Sequence, residues 1–300
     1  MTDTRFPIAR RSLLVGSAGL PLVAGLGGPR AFAQAAAAGG PEGPVITVDR
    51  ARTDPIPIAI TKLGGSDIGQ QIAGVITDDL ARCGLFRPID PAAFIGGADG
   101  AAPNFQNWGA IGAHALVTGQ VTGGDPLRVE FRLWDVLRGQ QIQGTAYTTS
   151  AANWRRIAHI IADVIYERLL GEKGYFDTRI VYVAARGPRG RQTKRLAIMD
   201  QDSANNRYLT DGSWLVLTPR FNPVRDQIAF MSYANNRPRV YLFDLASGRQ
   251  SILGSFEGMS FAPRFSPDGG SVLLSVTRGG GSDIFLVDLA SRREQRLTSS

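Results

Sequence analysis

Two histidines, one cysteine and twenty-six carboxylates are the groups in this chain of 300 residues that could support acid–base, nucleophilic or metal chemistry. His114 opens an apolar strand and His159 lies on a helical pattern. Neither has a partner at ligand spacing in the sequence, so both read as structural. A zinc site needs three or four ligands in a cluster, and the sequence does not supply one. A serine hydrolase needs a Gly-x-Ser-x-Gly elbow with Asp and His partners. Gly65-Ser66, Gly270-Ser271 and Gly281-Ser282 each lack the second glycine. Asp200-Gln201-Asp202-Ser203-Ala204-Asn205 has the start of a calcium loop but neither the glycine at its sixth position nor the closing glutamate, so it reads as a polar hairpin. Cys83 alone cannot form an internal disulfide and reads as a small buried hydrophobe near a helix end. The expectation is a protein that is not an enzyme and holds no metal or cofactor.

The elements that would position these groups begin after an address. Arg10-Arg11-Ser12-Leu13-Leu14 opens an apolar stretch broken by Gly16, Gly19, Pro21 and Gly25, too interrupted for a stable membrane span. Ala31-Phe32-Ala33 then offers a small-x-small cleavage site before Gln34. Residues 1–33 therefore read as a signal peptide. Arg10 and Arg11 resemble a twin-arginine export signal, with general secretion as the alternative route because the lysine common after the apolar pair is absent. Formal net charge is +7; the first 33 residues hold four arginines and one acid, which leaves +4 for the rest. No basic stripe with interleaved aromatics accompanies that charge, so nucleic-acid binding is not expected.

Residues 34–44 are Ala, Gly and Pro with one Gln and one Glu and read as a flexible mature N-terminus. Val45-Ile46-Thr47-Val48-Asp49 alternates as a short strand, and Ile56 to Ile60 as another that Pro55 and Pro57 push to an edge. From Asp67 to Cys83 the period changes: Ile68, Ile72, Val75, Ile76 and Leu80 share a helical face, Ser66 or Asp67 can cap it, and Gly84 ends it. Residues 90–103 read as loop. Ala115 to Val121, Leu127 to Val136 and Gln140 to Thr149 read as a meander, followed by a second helix from Ser150 to Gly171. Together they predict one α/β domain over 45–170, a mixed sheet with two helices, and a linker over 171–177.

Beyond Gly174 an internal repeat takes over. Pro219-Arg220-Phe221-Asn222-Pro223 recurs 44 residues later as Pro263-Arg264-Phe265-Ser266-Pro267. Val240 to Ser247 recurs at the same step as Ile284 to Ser291, and Leu196 to Asp200 precedes Val240 to Asp244 by 44 as well. Short strands at this period are the mark of β-propeller blades, each needing neighbours to bury its faces. Residues 178–300 hold about three blades, and closure takes four to eight, so the sequence is expected to be C-terminally incomplete, with six blades in all; pairing of half-propellers between chains is the alternative. Arg186 to Arg195 carries four extra residues and many basic groups. It reads as a solvated insertion, or else as a contact for an acidic partner.

Several stretches resemble the TolB family in combination: Gly65-Ser66-Asp67-Ile68-Gly69, Ala115-Leu116-Val117-Thr118-Gly119-Gln120-Val121, Phe131-Arg132-Leu133-Trp134-Asp135, and Phe265-Ser266-Pro267-Asp268-Gly269. The resemblance covers about 45–300. It implies a periplasmic component of the Tol–Pal system, which serves outer-membrane integrity and invagination during cell division. It implies two protein partners, the outer-membrane lipoprotein Pal and the inner-membrane protein TolA, and a mature chain with no integral membrane segment, expected to be a monomer. Val45, Ile46, Val48 and Asp49 match the segment that engages TolA, although the same strand could complete its own domain. Ala262 matches a family contact for Pal. Met259 stands where well-known members carry a histidine. Met259 and Phe261 lie in what reads as a loop with no strand period, suited to anchor a partner, or else to cap the blade core. The alternative class is a propeller gating a serine peptidase domain absent from this chain.

Overall fold

The computed structural model describes residues 54–95 and 102–299. In the N-terminal region a mixed five-stranded sheet has the order β2-β1-β3-β4-β5, formed by β1 (Ile56–Ile60), β2 (Phe86–Pro88), β3 (Ala115–Gly123), β4 (Leu127–Asp135) and β5 (Gln140–Thr149). β1 runs parallel to both β2 and β3, and β3, β4 and β5 form an antiparallel meander. β1 is therefore interior, not the edge strand its prolines predict. Pro57 is tolerated by position. Its carbonyl accepts from the His114 N–H at 2.9 Å. Its missing donor falls just before the β3 ladder begins at Ile58 opposite Ala115.

Two helices cover one face: α1 (Asp67–Arg82) and α3 (Trp154–Leu170), between which in sequence lies a short α2 (Phe105–Ala110). α1 buries Ile72, Val75, Ile76 and Leu80, and α3 buries Ile157, Ile161 and Ile165, the faces the 3.6-residue period marks. They meet Leu127, Val129, Phe131 and Leu133 of β4, all fully buried. Ser66 holds the N-cap position of α1 without a side-chain capping bond. α3 ends on Gly171 at φ 79°, left-handed backbone that glycine adopts at least cost, with its N–H on the Glu167 carbonyl. α2 lies just past the 90–103 stretch expected to be loop. It is a third helix, too short for a periodic signal. Its Trp108 is buried against the other sheet face with Leu116 and Trp134. Trp134 donates its indole N–H to Thr118 Oγ1 at 2.9 Å.

Three antiparallel sheets follow. The first is β6 (Arg179–Arg186), β7 (Thr193–Asp200) and β8 (Arg207–Tyr208). The second is β9 (Val216–Phe221), β10 (Gln227–Ser232), β11 (Arg239–Asp244) and β12 (Gln250–Ile252). The third is β13 (Met259–Phe265), β14 (Ser271–Arg278), β15 (Gly281–Asp288) and β16 (Glu294–Arg296). β9 packs against β6, and β13 against β9 and β10, so the sheets are successive propeller blades. Ile228, Phe230 and Phe243 fill the space between the first two, and Val240, Leu242, Val272 and Leu274 the space between the last two.

The first sheet lacks an inner strand among the described residues. One repeat before β9, allowing for the four extra residues of the Arg186 to Arg195 segment, lie residues 168–173, which α3 and its cap already use. The segment itself is a solvated hairpin: β6 and β7 pair as far as Arg186 opposite Thr193, and residues 187–192 are exposed.

The repeated Pro-Arg-Phe motif has a structural meaning the period alone does not give. β9 slips register at Thr218-Pro219 and β13 at Ala262-Pro263, so each proline sits in a β-bulge where no ladder donor is needed. Thr218 and Ala262 take φ of 47° and 52°. Arg220 and Arg264 each donate Nη1 to the preceding proline carbonyl at 2.9 Å.

Candidate functional site

Met259, Phe261 and Ala262 lie on the first strand of the third sheet, not in a loop. The pairing of Met259 with Thr277, Ser260 with Val276 and Phe261 with Ser275 sets them in a ladder. Sequence reasoning missed this because the bulge at Ala262-Pro263 breaks the two-residue period just where it would be counted. Gly258 feeds the strand at φ 103°; a Cβ there would approach the Thr277 carbonyl carbon to 3.2 Å, so the entry requires glycine.

Alternation on this strand separates two roles. Ser260 is buried, and its Oγ accepts from the Val240 N–H at 2.9 Å, tying the third sheet to the second. Met259 and Phe261 point to the other side and are half-buried. Neither joins the apolar cluster between the second and third sheets, which takes Phe256, Phe265 and Phe285 as its aromatic members. A flexible thioether and a ring outside the core present adaptable apolar surface. Ala262 is half-buried and places the bulge next to them.

A second constellation was not legible in the sequence. Asp79 of α1 is fully buried and lies 2.5 Å from Nδ1 of His159 on α3. It also accepts from Arg82 Nη2 at 3.0 Å and from Gln201 Nε2 at 2.7 Å. Asp202 is held by Arg155 and by the Ala204 N–H. Asp202 Oδ2 stands 3.6 Å from His159 Nε2. The reading of His159 as a histidine without nearby partners is thus corrected: its partners come from 80 residues upstream and from the Asp200 to Asn205 turn. That turn is the polar hairpin expected, with Asp200 N–H on the Ala204 carbonyl, but it is docked on α1 and α3 instead of being free in solvent.

Burial works against charge at Asp202, yet the hydrogen bonds and field of Arg155 outweigh it and hold the carboxyl below the usual carboxylate range. His159, Asp200 and Asp202 present ligand atoms within 4.8 Å of one another. Arg155 already donates to the Asp202 oxygen that faces the ring, which brings the positive charge a cation would supply. His159 and Asp79 have the spacing of a catalytic dyad, but Nε2 faces a carboxylate where a nucleophile would be needed. His114 is exposed at the start of β3. Val45, Ile46, Val48 and Asp49, with Arg10, Arg11, Ala31 and Ala33, lie outside the described residues.

Comparison with known proteins resolves the family. Residues 44–142 match the model of the TolB amino-terminal domain, and residues 166–300 match that of the TolB beta propeller domain. The chain belongs to the TolB family. It is 65% identical over 232 residues to a Tol-Pal system protein TolB of Gluconobacter oxydans, which covers 77% of this chain and 50% of that protein. It is 48% identical over 234 residues to the Tol-Pal system protein TolB of Pelagibacter ubique, covering 72% of this chain and 52% of that one. The crystal structure of TolB from Acinetobacter baumannii superposes with a TM-score of 0.73 at 30% identity, over 82% of this chain and 61% of that chain. The chain thus spans about half the length of the curated relatives it matches. The TolB family fold, an α/β domain followed by propeller blades, is the architecture described above, and both relatives carry the name of Tol-Pal system proteins. No helix among the described residues is long and apolar enough to cross a membrane.

Proposed function

We propose that this protein acts in the periplasm as a binding component of the Tol–Pal system, linking the outer-membrane lipoprotein Pal with the inner-membrane protein TolA. In this reading it supports outer-membrane integrity and invagination at division, and it works by protein contact and not by catalysis. Family membership supports the system. The observation that carries the partner-binding reading is local: Met259 and Phe261 stand half-buried on the first strand of a blade, outside its core, beside a bulge at Ala262. First strands of blades reach the ends of a propeller's central channel, where loops and strand starts are available to a partner.

Pal would seat on this end, with Met259 and Phe261 filling apolar hollows in it. TolA would take the strand Val45-Ile46-Thr47-Val48-Asp49 through backbone hydrogen bonds along a sheet edge, the alternate side chains supplying selectivity. Residues 34–44 would give that strand its reach, and residues 1–33 would direct export through Arg10 and Arg11.

Titration of purified Pal against the full-length protein tests the reading. Met259→Ala and Phe261→Ala should each weaken Pal binding by about 1–3 kcal/mol, roughly 5- to 150-fold in Kd, with little change in melting temperature. A lowered melting temperature with unchanged affinity would place both side chains in the folding core and remove this strand from the interface.

A further inference from the structure

The seam between the α/β domain and the first blade is closed by charged groups that partner binding does not use. The turn between β7 and β8 enters between α1 and α3. Gln201 meets Asp79 and Arg82, and Asp202 meets Arg155. His159 sits at the centre, with its side chain 3% exposed. One face of its chemistry, Nδ1, belongs to Asp79 of its own domain. The other, Nε2, is buried, has no hydrogen-bond partner, and points toward Asp202 of the blade at 3.6 Å.

We propose that His159 is a proton-controlled clamp: as an imidazolium it holds the β7–β8 turn of the first blade against α1 and α3, and loss of the proton loosens that joint. The argument starts from the two nitrogens. A neutral ring donates once, and Asp79 takes that N–H. Nε2 would then aim a lone pair at the Asp202 carboxylate inside a buried seam, which is repulsive. With a second proton, both nitrogens carry N–H groups, one toward each domain's carboxylate, and the ring becomes a bridge.

The surrounding charge favours that bridge. Facing the ring or the cavity beside it are Asp79 from α1, with Arg82 on it, and Arg155 and Arg156 from α3. The connector contributes Asp177, the β7–β8 turn Asp200 and Asp202, and the blades Arg179 and Asp226. Arg155, Arg156 and Arg179 are already paired with Asp202, Asp177 and Asp226, and Arg82 with Asp79. Asp200 is left without an arginine in these pairs, so the seam is short of positive charge. Burial opposes a proton on His159, but the hydrogen bond and field of Asp79, with Asp202 and Asp200, outweigh it and raise the ring above the ordinary histidine value.

The sign follows from linkage. A raised folded-state pKa adds stability that is fully present below the unfolded value of about 6.5 and is lost as pH rises through the folded value. The joint is therefore firm below about pH 6.5 and loosens as pH rises through the raised folded-state value.

Two readouts on the full-length protein test this. The nitrogen and Cε1 shifts of the His159 ring, assigned through its backbone, should report the doubly protonated form at about pH 6 and a midpoint above the ordinary histidine value of about 6.5. Amide exchange across 200–206 should quicken as pH rises beyond its intrinsic pH dependence, and His159→Gln should abolish that excess while keeping one hydrogen bond to Asp79. A ring that stays a neutral tautomer from about pH 5 upward overturns the clamp, whether or not the variant folds. So does an excess in exchange that His159→Gln retains. Added zinc ion that protects the turn and abolishes the titration would make the ring a metal ligand instead, and would also overturn it.

Discussion

Replacing Phe176 by alanine tests how the two parts of the chain are joined. Residues 171–177 read as a linker in the sequence, yet Phe176 is 2% exposed and belongs to the core of the α/β domain. Its ring packs edge-on to Tyr166 at 5.8 Å and against Tyr175 at 4.8 Å. Asp163 of α3 accepts from the N–H groups of Phe176 and Asp177 at 2.6 and 3.0 Å, so the backbone is pinned where the ring enters. Removing a fully buried phenylalanine ring costs about 3–5 kcal/mol in lost transfer energy and cavity formation. That is a large share of the roughly 5–15 kcal/mol by which a domain is stable. At about 2–4 °C per kcal/mol for a protein of this size, the melting temperature should fall by roughly 6–20 °C. Tyr175 is 49% exposed, so Tyr175→Ala should cost much less and serves as the control. Calorimetry gives the melting temperature, and limited proteolysis reports cleavage between 171 and 178, which should rise in Phe176→Ala. A variant that melts within about 1 kcal/mol of wild type and resists cleavage would refute the reasoning, because the connector would then be a tether and not part of the core.

The other expectations are more local. Met259→Ala and Phe261→Ala should weaken Pal binding at nearly unchanged melting temperature, as measured by titration and calorimetry side by side. Ser260→Ala, between them but on the opposite side of the strand, should do the reverse. It strands the buried Val240 N–H and should cost about 1–3 kcal/mol in a denaturant melt while Pal affinity in the folded protein holds. Deleting residues 34–50 should abolish capture of TolA and leave the melting temperature unchanged; retained capture would place the TolA contact elsewhere. The His159 ring should titrate above the ordinary histidine value, with the β7–β8 turn loosening as it does.

The blades were legible in the sequence because each is a local unit. A period of 44 residues repeats the same strand, turn and strand, and the apolar stretches at Ile228 and Val272 became β10 and β14. The two long helices were equally plain, since seven-residue patterns over four turns leave little doubt about which face is buried. The same local logic failed wherever a contact distant in sequence decided the outcome. Pro57 marks an edge by its chemistry, but β2 and β3, which flank it, close a parallel ladder only after α1 and α2 have returned the chain. α2 is a helix of fewer than two turns, held by the packing of its Trp108 with Leu116 and Trp134. Met259 read as loop because a bulge three residues on interrupts the alternation.

The clearest division falls at the seam. Composition and spacing determined by themselves that the chain carries an α/β domain and propeller repeats, because helical and strand periods and repeat length are properties of neighbouring residues. Asp79, His159 and Asp202 lie on three separate elements, and nothing in their spacing relates them. Only the packing of α1 on α3, and the docking of the β7–β8 turn on both, removes water from the three and sets their distances. In water these charges would be screened; inside the seam Asp79 and Asp202 raise the ring of His159, and Arg155 with the ring lowers Asp202. That coupling is a property of the tertiary structure alone.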